Sequence, residues 1–127
     1  MLVVLHRRRA GGEAALTVRA PGVAGSVLWR GTGDPAVGFP LDVELEVPGP
    51  VDWDAVVVAP SGVEAPAVAD GELLLSGVVE QVRDGLVVLR VADAIVLVET
   101  VGEPPAGAEG THVALRLRGA EVYPTGV

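Results

Sequence analysis

The sequence predicts an all-β protein built from small β-barrels, organised as two repeated five-strand units, with a single ten-strand barrel or sandwich as the alternative. Three observations carry this. Half of the 127 residues are hydrophobic, with Val prominent among them, and β-branched side chains suit the pleated, half-buried surface of a sheet better than a helix. Seventeen Gly and ten Pro are spread along the chain and supply turns. Strict apolar/polar alternation recurs, and no stretch has the apolar period of a helix.

The organising stretch runs from Leu73 to Val101. Three Val/Leu-rich runs are separated by Arg83-Asp84-Gly85 and by Ala92-Asp93-Ala94, a strand, turn, strand, turn, strand pattern that reads as a β-meander. Asp-Gly tolerates positive φ and matches the twist of the strands it joins.

Before it, residues 2 to 6 read as a strand, 8 to 12 as a turn, and Ala14 to Ala20 as a second strand ended by Pro21-Gly22. Ser26 to Arg30 gives a third strand. Leu41 to Val47 alternates without exception, apolar inward and acidic outward. Val51 to Val58, with Trp53, reads as a fifth. Residues 59 to 72 have no period and read as a linker or long loop. After the meander come a loop over 102 to 110, an alternating strand from Val113 to Arg118 with basic residues outward, and a last short strand, Glu121 to Tyr123.

The two halves align. Gly12, Leu16 and Val18 match Gly85, Leu89 and Val91 at an offset of 73, and Val43, Leu45, Val47, Gly49 and Trp53 match Val113, Leu115, Leu117, Gly119 and Tyr123 at an offset of 70. The expected units are residues 1–58 and 73–127, joined by 59–72. About 55 residues make a marginal core alone, so the two units are also compatible with one shared core. The bend Gly77-x-Val79-x-x-Val82 before an Asp-Gly hairpin resembles the first strand of OB-fold domains, and five short strands per unit suit a small barrel of the OB or SH3-like kind. That resemblance implies oligonucleotide or oligosaccharide binding, but the basic, aromatic strands that carry it are missing.

Charge narrows the functions further. A net charge of −8 argues against nucleic acid, whose phosphates need a basic surface. It suits solubility, or steering towards a basic protein partner. Lys, Asn and Cys do not occur, so disulfides and thiolate metal sites are excluded and a reducing compartment fits. The apolar run Leu2 to Leu5 precedes the charges of His6 to Arg9, the reverse of a signal peptide, and no apolar run approaches the about 18 residues of a membrane span. The expectation is a cytoplasmic protein.

Catalytic constellations are sparse. The histidines are His6 and His112, and the serines Ser26, Ser61 and Ser76 lie in no nucleophile-elbow pattern. Asp52 and Asp54 flank Trp53 without a second polar set. Gly31-Thr32-Gly33-Asp34-Pro35-Ala36 fits a dinucleotide fingerprint by letter, but Pro35 prevents the helix that motif requires. Asp42, Glu44 and Glu46 lie about 7 Å apart along one strand and do not converge on one cation. No enzyme, cofactor or metal is expected. The candidate interaction residues are Arg7, Arg8 and Arg9, the acidic row Asp42, Glu44 and Glu46, and Arg116 and Arg118. Glu46 and Arg116 occupy equivalent positions in the two halves, and a pairing between their strands would set opposite charges face to face. The expectation is a non-catalytic protein-binding module; a small-ligand or oligosaccharide binder using Trp29 or Trp53 is second, and an OB-type nucleic-acid binder third.

Overall fold

In a computed structural model, residues 1–7, 15–58, 69 and 71–125 are described. Among them the chain forms eleven strands: β1 (Leu2–Arg7), β2 (Ala15–Ala20), β3 (Val23–Trp29), β4 (Pro40–Glu46), β5 (Val51–Asp52), β6 (Val57–Val58), β7 (Glu72–Arg83), β8 (Leu86–Val91), β9 (Ala94–Val101), β10 (His112–Arg118) and β11 (Glu121–Pro124). The expected meander is β7, β8 and β9, paired antiparallel in order. Its first turn has Asp84 at φ 49° and Gly85 at φ 77°, as a two-residue hairpin loop requires. The third strand begins at Val23, earlier than expected, because Pro21-Gly22 turns the chain at once into the β2–β3 hairpin. The expected turn over 8 to 12 lies outside the described residues, as does most of the expected linker; its last residue, Glu72, opens β7.

The long strand β7 serves two neighbours. It pairs with β10 over Glu72 to Val78 and with β8 from Val78 onward, with a register shift between Val79 and Gln81. That shift falls within Gly77-x-Val79-x-x-Val82, the stretch that the sequence reads as a bend. At Gly77 the backbone passes so close to β8 that a Cβ would stand 2.2 Å from the Arg90 carbonyl oxygen.

One ring of five strands closes completely. β1 pairs with β2, β2 with β3, β3 in parallel with β11, β11 with β4, and β4 with β1. The same order recurs in the rest of the chain, where β10, β7, β8 and β9 follow one another and β9 pairs in parallel with β5. There the fifth member is interrupted. A single 3₁₀ turn, Trp53–Ala55, separates β5 from β6, and β6 returns to β10. The sequence reads Val51 to Val58 as one run; the break arises where Asp52 caps the turn by accepting a hydrogen bond from the Asp54 N–H at 2.9 Å.

The fifth strands are exchanged. β5 and β6, from the first sequence half, complete the ring of the second half, and β11, from the second, completes the ring of the first. The two crossovers lie side by side, a Cβ on Gly119 falling 3.6 Å from Pro48 Cγ. Buried side chains from both halves form one contiguous cluster, with Leu5, Leu73, Leu75 and Leu89 wholly enclosed. Within it Trp53 is packed among Val79, Leu89, Val98 and Leu115 of the second ring. β3 and β7 join the rings edge to edge, Gly25 lying opposite Leu73. At Gly25 φ is 127° and a Cβ would stand 2.3 Å from the Glu72 carbonyl oxygen, so only glycine fits this seam. No helix among the described residues is long and apolar enough to cross a membrane.

Candidate functional site: an acidic cleft between β4 and β9

Two outward sheet faces line a cleft of about 1110 Å³. One wall is β4, of the first ring. Alternation turns Val43 into the core and leaves Asp42, Glu44 and Glu46 outside. The other wall is β9, of the second ring. Here Val96 and Val98 are buried, while Ile95 and Leu97 stand 48% and 56% exposed. Asp93 and Glu99 bracket that apolar pair in sequence and also line the cleft. The result is an acidic wall opposite an apolar wall with acidic ends.

Among the described residues, no Arg or His side chain lines this space. Asp42 is already engaged: the Met1 amino group donates to its Oδ1 at 2.8 Å, and this hydrogen bond first of all holds the Asp42 carboxyl below its usual value; desolvation opposes it, and the ammonium charge and a hydrogen bond from Thr125 add to it. Among the described residues, Glu44, Glu46, Asp93 and Glu99 have no ion-pair partner.

The basic candidates lie elsewhere. Arg7 is 3.8 Å from Asp34, and Arg8 and Arg9 fall outside the described residues. Arg116 stands opposite Leu74, and Arg118 opposite Glu72. Arg7, Arg116 and Arg118 do not line the cleft. Glu46 and Arg116 are not neighbours across strands, because β4 pairs with β1 and β11 whereas β10 pairs with β7 and β6. Among the described residues no three His, Asp or Glu side chains are grouped to hold a metal ion.

Both tryptophans serve packing. Trp29 Nε1 donates to the Gly33 carbonyl oxygen at 2.9 Å, and the gap beside Trp53 is about 10 Å³, room for no more than about one water. Folding also brings together a pair that the sequence separates: Ser76 Oγ lies 3.4 Å from His112 Nε2 across β7 and β10. Neither lines the cleft.

The sequence marked the acidic wall through alternation. It missed Ile95 and Leu97, since Ala94-Ile95-Val96-Leu97-Val98 is apolar throughout and reads as a strand buried on both faces. Comparison with known proteins finds no matching family profile, no matching curated sequence and no matching solved structure.

Proposed function

We propose that this protein is a non-catalytic binding module that holds a basic segment of a partner protein in the cleft between β4 and β9. One observation carries the reading: five carboxylates, of which Asp42 is paired with the Met1 ammonium, and three exposed aliphatic side chains, Leu2, Ile95 and Leu97, line a cleft that, among the described residues, contains no basic side chain. Each exposed ion pair contributes only about 0.2–1 kcal/mol, so attraction comes from the summed field, which steers a cation towards the cleft. Ile95 and Leu97 add apolar area that a purely ionic surface lacks. The acidic chain disfavours nucleic acid, and the absence of cysteine fits a cytoplasmic setting.

Capture of proteins from a lysate on the immobilised protein, at low and at high salt, tests the reading. A stoichiometric basic partner released by salt is expected. Capture that ignores salt, or that survives Glu44→Gln and Glu46→Gln together, contradicts it.

A further inference from the structure

We infer that the partner segment binds as an added β-strand on the open edge of β9, in an extended conformation with alternating apolar and basic residues. The inference rests on the proposed cleft and specifies how it is filled.

The edge follows from hydrogen-bond alternation. Thr100 N–H donates to the Gly85 carbonyl at 2.7 Å, and β8 and β9 stay in register from Glu99 to Ala94. In an antiparallel ladder alternate residues bond the same neighbour. Val98, Val96 and Ala94 therefore turn their backbone groups to β8, and Ile95 and Leu97 turn theirs away. On that side, among the described residues, β9 has a strand partner only at Thr100 and Val101, from β5. Two N–H and two C=O groups thus meet no strand among the described residues. Across the cleft, Val43 N–H donates to the Met1 carbonyl at 2.8 Å, and the same alternation directs Leu45 past the start of β1.

Open edges are normally blocked by Lys, Pro or a bulge. Between Ala94 and Val98 there is none of these. The carboxylates decide the occupant. A second copy pairing antiparallel through this edge, with Ile95 opposite Leu97, sets Asp93 against Glu99, and like charges directly opposite destabilise a sheet. A basic strand meets those carboxylates with opposite charge, lays apolar residues beside Ile95 and Leu97, and has Glu44 and Glu46 within the same cleft.

The test uses an end-blocked Arg-Val-Arg-Val-Arg-Val peptide and the same peptide N-methylated at its valines, which removes backbone donors while keeping charge. Amide exchange of the whole protein is followed by NMR. The unmodified peptide is expected to slow exchange at Ile95 and Leu97 at least about tenfold, and to bind at least about tenfold more tightly than the N-methylated one. Leu97→Pro removes an outward donor without touching the β8 ladder and is expected to weaken binding similarly. Should that variant fold poorly, exchange on the unaltered protein decides. Equal binding of both peptides without protection at Ile95 and Leu97 overturns strand addition and leaves the cleft proposal standing. Failure of both peptides to bind at low salt overturns both. Protection of the same amides by raising protein concentration alone makes a second copy the occupant and overturns the inference.

Discussion

Glu46 on β4 lies directly across from Glu121 on β11, and Arg30, just beyond β3, binds the Glu121 carboxylate. The pair marks the seam where the last strand of the chain enters the first ring. Two carboxylates directly opposite repel, and the guanidinium offsets one of them.

Replacing Arg30 by Gln should therefore do more than remove one exposed ion pair. The expected cost is about 1 kcal/mol, the upper end for such pairs. Adding Glu46→Gln should restore part of it. Urea unfolding of the two single variants and the double variant measures the coupling. Strictly additive effects would show that the seam carries no such repulsion.

Trp53 belongs by sequence to the first half and by packing to the second ring. Trp53→Ala should destabilise the protein by about 3–5 kcal/mol, the usual range for a buried tryptophan. Its effects should be distributed unevenly. NMR shift changes are expected at Leu89, Val98 and Leu115, while Val3 on β1 and Val18 on β2 should move little. Changes concentrated at Val3 and Val18 would contradict the strand exchange.

That exchange explains how far the sequence could be read. The meander, its turns, the irregular stretch of β7 after Gly77 and the outward acids of β4 are local, and alternation with Gly placement exposes them. Alternation tells which face of a strand is buried but not which strand lies beside it. Because Val51 to Val58 and Glu121 to Tyr123 occupy equivalent places in similar halves, either can complete either ring, and only the fold distinguishes them. Ile95 and Leu97 were hidden for a related reason. In a continuous apolar run, an exposed face and a buried one look alike.

Ala92 turns the chain between β8 and β9 at φ 54°, a region that costs a non-glycine residue about 1–2 kcal/mol. Ala92→Gly relieves that strain but loosens the unfolded chain. The net expectation is a gain of about 0.5–1 kcal/mol, read as a rise in Tm. A fall in Tm would mean that the turn holds Ala92 without strain.

Asp42 gives a pH dependence whose sign is fixed. Its carboxyl is held below its ordinary value, first by the hydrogen bond from the Met1 ammonium and then by that group's charge. A depressed folded-state pKa means that the unfolded chain binds the proton more readily. The contribution is present above the ordinary carboxylate range and is lost as pH falls through the folded-state pKa. Asp42→Asn should be less stable than the unaltered protein at neutral pH, and the difference should shrink on acidification. A difference independent of pH would assign the effect to packing.

The most direct measurement of the central claim is a titration of the labelled Arg-Val-Arg-Val-Arg-Val peptide into the unaltered protein and into a variant carrying Glu44→Gln, Glu46→Gln and Glu99→Gln, each at low and high salt. These three side chains are exposed, so the variant is expected to fold. The account predicts binding that weakens with salt in the unaltered protein and falls at least about tenfold in the variant. Equal affinity of the two proteins at low salt would contradict it.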